Sequence, residues 1–252
     1  MFDKLKADIA FMNGEYKEAL NLFLEGARDG DALASYNYAY CLLNGIGTER
    51  DASLAKTYFS FARDLPGGEA CYNLALLYMH GDGVRADLSK SLSYMRDAAT
   101  MGCIEAQLYL GMAYTVGCLY EPDIIGICMI PYHKPEYRAD DSALLTGYIE
   151  DSEKEDRRYA VIGANARAAY EWFMIAARHD PTYVGDLVAK GKYLYAKCYI
   201  DGLGTDQDFV RGARLMLSAG REGSREAIQF LSANGVSPAM LESKSRVRKK
   251  EK

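Results

Sequence analysis

One pattern returns four times along this chain, and it limits the possible fold more than any other feature. It reads ASYNYAYCLLNGIG from Ala34 to Gly47 and ACYNLALLYMHGDG from Ala70 to Gly83. It returns as AQLYLGMAYTVG from Ala106 to Gly117, and as GKYLYAKCYIDGLG from Gly191 to Gly204. Ala34, Ala70 and Ala106 are spaced by 36 residues, as are Gly45, Gly81 and Gly117. A fixed period of that length marks stacked helix pairs, each burying its apolar face against its neighbours.

The second copy shows why the segment is helical. Ala70, Leu74, Ala75 and Tyr78 fall on one helical stripe. Gly81 and Gly83 end the helix, because glycine accepts the left-handed backbone of a C-terminal cap. Asp87 is an N-cap for a second helix, DLSKSLSYMRDAATMG, which buries Leu88, Leu92, Met95, Ala98 and Ala99. The first copy repeats this with Asp51 and SLAKTYFSFARDL, stopped by Pro66-Gly67-Gly68, and the fourth with FVRGARLMLSAGREG. Small residues at Ala39, Ala75, Gly111 and Ala196 share one repeat position and allow a close helix crossing.

This pattern closely resembles the Sel-1-like repeat, a relative of the tetratricopeptide repeat. The second copy supplies Ala70, Leu74, Tyr78, Gly81, Gly83, Val84, Lys90, Ala98 and Ala99 of the family pattern. The third supplies Ala106, Leu110, Gly111, Tyr114 and Gly117, with its second helix resuming as RAAYEWFMIAARHD from Arg167. With the N-terminal unit, the resemblance covers about four fifths of the chain. It implies an all-α, right-handed α-α superhelix of Sel-1-like repeats. Residues 1–30 form a divergent N-terminal unit, 31–236 hold the repeats, and 237–252 form a basic tail. Segment 224–236 is expected to be a helix capping the last repeat.

The period breaks at about 118–165. Aligning Ala98-Ala99 with Ala176-Ala177 shows 42 added residues. The apolar part around 122–135 is expected to pack on the repeats, and the acidic part around 138–155 to be exposed. A partner-binding arm or a further degenerate repeat are the alternatives. Ser152 and Glu155 form a capping box for an extended helix running into RAAYEW.

No catalytic constellation stands out. The six cysteines lack C-x-x-C spacing and repeated positions, so they read as free thiols in a reducing compartment. The three histidines, His80, His133 and His179, sit in no metal-ligand pattern. Cys128 and His133 share the insertion but form no recognised nucleophile–base arrangement. The G-x-G pairs follow helices rather than strands, so they are caps and not dinucleotide loops. A net charge of −5 argues against general nucleic-acid binding. The N-terminal residues lack the apolar core of a signal peptide, and no run is long enough to span a membrane. The expectation is a cytoplasmic, non-enzymatic protein with no cofactor or metal.

What remains is a surface. By the resemblance, first helices line the concave face. Their outward positions are Tyr36 and Tyr40 in the first copy, and Tyr72, Leu76, Met79 and His80 in the second. The third gives Leu108 and Met112, and the fourth Tyr193 and Lys197. Aromatic and Met residues favour protein interfaces. The functional expectation is a scaffold or adaptor that binds a peptide or protein on this face or on the insertion. The alternatives are an inhibitor or immunity-type protein, and a β-lactamase-like hydrolase. Cysteine-rich family members associated with β-lactam hydrolysis carry two cysteines per repeat, which this chain lacks.

Overall fold

The computed structural model describes residues 2–119, 145–147, 159–161 and 163–235. Helices dominate and come in antiparallel pairs. The N-terminal pair is α1 (Lys4–Met12) and α2 (Tyr16–Arg28). The first repeat is α3 (Ala32–Asn44) with α4 (Ala52–Phe61), and the second α5 (Glu69–His80) with α6 (Leu88–Thr100). The third is α7 (Ile104–Val116) with α8 (Ala166–Ala176). The fourth is α9 (Pro181–Asp201) with α10 (Phe209–Arg221), followed by α11 (Arg225–Ala233). Among the described residues, strand is confined to β1 (Cys118–Leu119), β2 (Leu145–Gly147) and β3 (Tyr159–Val161), with β2 and β3 antiparallel. The architecture is an all-α repeat fold.

Two compact units divide the described chain within α7. The first holds residues 2–106 with 119, 145–147 and 159–161, and the second holds 107–118 and 163–235. In the first, Phe23, Leu42, Phe59 and Leu74 are almost wholly buried in one core with the alanines of α1 to α5. In the second, Ala196, Met216, Ala219, Ala227 and Leu231 join α9, α10 and α11.

In the four repeats each second helix starts the same way. Asp51, Asp87, Asn165 and Asp208 are N-caps whose side chains accept from Leu54, Lys90, Ala168 and Arg211 N–H at 2.8–3.0 Å. Such caps typically stabilise a helix by about 1 kcal/mol. Their own backbone N–H groups donate to carbonyls of the preceding first helix, those of Leu42, Tyr78, Tyr114 and Tyr199, at 2.8–2.9 Å. Asn165 therefore restarts the repeat in register after the insertion.

This revises the expected extended helix from Ser152. The described chain is strand at Tyr159–Val161, and α8 begins only after Asn165. The asparagine makes both N-cap bonds made by the aspartates elsewhere, so the helix needs no upstream capping box. Two boundaries also differ. Helix α9 begins at Pro181, well before Gly191, and α4 ends at Phe61, before Pro66. The readings for 122–135, for Cys128 and His133, and for the tail lie outside the described residues, as does that for 138–155 apart from strand β2 at Leu145–Gly147.

The two glycines of each G-x-G loop have different tasks. Gly81 caps α5 with φ +72° and its N–H bonds Leu77 O at 3.0 Å. Gly83 lies against the backbone of Ala52 and Ser53 at the start of α4, where a Cβ would collide. At the tight crossing expected for Gly111, a Cβ would overlap the buried Phe173 ring.

Gly83→Ala is expected to destabilise by about 3 kcal/mol or more, combining a positive φ with a backbone clash. Gly30→Ala has a similar φ of +87° but open space, and should cost only about 1–2 kcal/mol. Urea titration of both variants checks the difference. A second test concerns Ser91, which is fully buried where other repeats place Ala55, Ala169 and Gly212. Its hydroxyl finds no hydrogen-bond partner among the described residues. Ser91→Ala should stabilise by about 1 kcal/mol, by removing an unsatisfied polar group.

Candidate protein-interaction face

Helices α3 and α5 carry Tyr36, Tyr40, Tyr72, Leu76, Met79 and His80 of the expected face. In each, one stripe is committed to the core: Tyr38, Ala39 and Leu42 in α3, and Leu74, Ala75 and Leu77 in α5. The residues beside the stripe project from it. Tyr40 is 41% exposed, Glu69 and His80 are exposed, and Tyr36, Tyr72, Asn73 and Leu76 are half-buried.

These side chains form a connected polar and aromatic surface. The Tyr36 ring meets Phe59 edge-on, with centroids 5.6 Å apart. The Asn73 side chain acts on the Tyr36 phenol against burial, favouring the ionised form. Asn73 also donates from Nδ2 to Glu69 O at 2.9 Å. Burial, then the Glu69 carboxylate, raises the Tyr36 phenol above its usual pKa. Burial lifts Tyr72 to about 12, helped by Cys103 and Glu105. Cys103 Sγ donates to Glu105 Oε2 at 3.4 Å. The phenols are therefore neutral hydrogen-bond donors at ordinary pH.

Not every expected residue is on the surface. Met79 is 5% exposed and Leu108 3% exposed, so both belong to the interior. A stacked repeat helix has neighbours on both flanks, which widens its buried stripe beyond that of a one-sided amphipathic helix. Met112 on α7 is half-buried.

In the second unit, the fourth copy's face is partly covered by α11. Tyr193 packs in the cluster that α9 and α10 form with α11. Lys197 pairs with Asp201 at 2.8 Å and lies 5.7 Å from the Phe230 ring centre. Lys190 and Lys192 face Glu226 and Glu222 at 3.8 and 2.5 Å. Tyr36, Tyr40, Tyr72, Leu76 and His80 thus stand half-buried or exposed on first helices of the first unit, and Tyr193 and Lys197 stand half-buried on α9 of the second.

A tyrosine cluster in the second unit escaped the sequence reading. The hydroxyls of Tyr170, Tyr195 and Tyr199 lie 2.8–3.3 Å apart in a closed triangle. Tyr195 and Tyr170 occupy the repeat positions of Leu74 and Leu92, and Tyr199 that of Tyr78. The guanidinium groups of Arg211 and Arg167 lie over the Tyr199 and Tyr170 rings at 4.5 and 5.2 Å. Burial, reinforced by the other two phenols, pushes Tyr199 far up. For Tyr170, burial acts upward, but its two phenol partners and both arginines outweigh it and hold the pKa below the usual value. Its sequence signal was the i, i+4 pair Tyr195 and Tyr199.

The described thiols are poor nucleophiles. Cys41, Cys71, Cys103 and Cys198 are free and buried. Burial alone accounts for the rise of Cys41 to about 11, and it leads at Cys71, also about 11, and at Cys103 and Cys198, about 12. Cys71, beside a shallow opening near Arg63 and Asp97, donates to Arg63 O at 3.2 Å. Among the described residues, no group of His, Cys, Asp or Glu could hold a metal. None of their helices is long and apolar enough to cross a membrane.

At pH 8 the folded protein should therefore leave these four thiols unmodified by iodoacetamide, while urea-unfolded chain reacts, as mass spectrometry would show. Each folded pKa lies above its unfolded value. The associated stability is present below about pH 8.5 and is lost as pH rises toward 11–12. A denaturation series from pH 7 to 11 should show that alkaline loss.

Comparison with known proteins agrees with this architecture. The Sel1 repeat pattern matches residues 32–66, 68–103, 159–181 and 189–224, more than half of the chain. A Sel1 repeat protein from Oxalobacter formigenes superposes with a TM-score of 0.67 at 17% identity, covering 92% of this chain and 75% of that one. Chitin synthase regulatory factor 3 of Schizosaccharomyces pombe is 26% identical over 65% of this chain. Chitin synthase regulator SKT5 of Saccharomyces cerevisiae is 27% identical over 50% of it. Each match spans only 18% of the fungal protein. Three of the matches fall on the pairs α3 with α4, α5 with α6 and α9 with α10, the fourth on α8, and the chain belongs to the Sel1 repeat family.

Proposed function

We propose that this chain is a non-catalytic protein-interaction scaffold, and that the α3–α5 face contacts a peptide or protein partner. The observation that carries this reading is the group Tyr36, Tyr40, Tyr72 and Leu76, left partly open on two consecutive repeats. Aromatic side chains supply large contact area at low entropic cost, and they are enriched at interfaces. Two curated relatives are named as regulators of chitin synthase, a role exercised on another protein. The high thiol pKa values support the non-enzymatic reading at those four positions. The lack of a membrane-crossing helix among the described residues suits a cytoplasmic site of action.

The test is affinity for a partner recovered from the native host. Replacing Tyr40, Tyr72 and Leu76 together with Ser should weaken binding by at least about 2 kcal/mol, the scale of one interface hot spot. The fold should persist, because the committed core stripe is untouched. Calorimetry with the folded triple variant checks this, and unchanged affinity places the contact elsewhere.

A further inference from the structure

A small cleft opens on the first unit where the turn after α4 meets α5 and α6. It encloses about 350 Å³ and is lined by Arg63 and Asp64 of the turn, Cys71 of α5, and Tyr94, Asp97 and Met101 of α6 and its end. Hydrogen bonds and stacking hold its walls. Cys71 Sγ donates to Arg63 O at 3.2 Å, which ties the turn to α5. Thr100, at the same opening, donates from its hydroxyl to Asp97 O at 2.8 Å. The Tyr94 ring stacks on that of Tyr78, 12° from parallel, with centroids 5.7 Å apart.

The charges of the lining do not cancel. Arg63 Nε lies 3.6 Å from Asp64 Oδ1, so its guanidinium already faces a carboxylate. Asp97 forms no ion pair with any described residue. One carboxylate is therefore left uncompensated. Around it stand a half-buried aromatic ring, Tyr94, and a half-buried thioether, Met101, with the buried Cys71 behind.

We infer that this cleft binds a small arylalkyl amine as its ammonium ion. The ammonium donates to the Asp97 carboxylate in a charge-assisted hydrogen bond. A cation beside Tyr94 is also attracted to the face of that ring. The carbon part of the ligand covers Tyr94 and Met101. An anion would instead meet two carboxylates and compete with Asp64 for Arg63. The volume lies at the lower end of ligand sites, roughly 300–1,000 Å³, which suits a molecule with one ring. Tyr36, Tyr40, Tyr72 and Leu76 do not line the cleft. The site is therefore independent of whether the α3–α5 face binds a protein.

The isotope-labelled full chain is titrated with phenethylammonium and with phenylethyl alcohol, its uncharged counterpart. A third titration uses Nα-acetyl-lysine amide, which offers an ammonium as a protein side chain does. Phenethylammonium is expected to saturate at millimolar concentration or below and to shift the amides of Arg63, Cys71, Tyr94 and Asp97. It should bind at least about fivefold more tightly than either other compound. Asp97 is exposed, so Asp97→Asn should keep the melting temperature while losing affinity about fivefold. Asp29→Asn, the same charge change at the exposed C-cap of α2, should leave affinity unchanged. Equal binding of the alcohol, equal loss in both variants, shifts confined to other residues, or no saturation overturns the inference. Tighter binding of the lysine derivative assigns the cleft to a protein side chain and overturns the small-amine reading.

Discussion

The repeat depends on one contact: the second glycine of each G-x-G loop against the start of an earlier second helix. Gly83 lies on Ala52 and Ser53, Gly47 on Tyr16, and Gly204 on Ala166. In each case a Cβ would collide with the backbone or with atoms beside it. Only glycine permits this approach, because any side chain would collide there. The N-cap bonds to Leu42, Tyr78, Tyr114 and Tyr199 then set each second helix on its own first helix. Together they bring first-helix residues one period apart into neighbouring places, which turns a sequence repeat into a surface.

Much of this was legible in the sequence because the residues involved have few alternative uses. Glycine at two fixed places after a helical stripe, followed by Asp, specifies cap, turn and N-cap. The start of α8 was misread because Asn165 replaces the aspartate and lies far along the chain after the insertion. Repeat alignment alone would have found it, since Asn165 stands 78 residues after Asp87, the same offset as Ala176 after Ala98.

The face was legible less completely. Periodicity identifies which residues share a side of a helix, but not how wide the buried stripe becomes when both flanks are packed. Met79 and Leu108 were lost for that reason. Tyr193 and Lys197 are set apart by a tertiary event, the packing of α11 with its Phe230 beside α9. The tyrosine triangle shows the converse. Tyr195 and Tyr170 fill repeat positions held elsewhere by leucine, and only their meeting in space turns two core side chains into a hydrogen-bonded network.

The central claim is that partner contact falls on the first helices of the first unit. Amide chemical-shift mapping of the labelled full chain, titrated with its bound partner, tests it most directly. The account predicts shifts concentrated at Tyr36, Tyr40, Tyr72, Asn73 and Leu76, with α4 and α6 little changed. Shifts concentrated on α4, α6 or the second unit, with α3 and α5 silent, would contradict it.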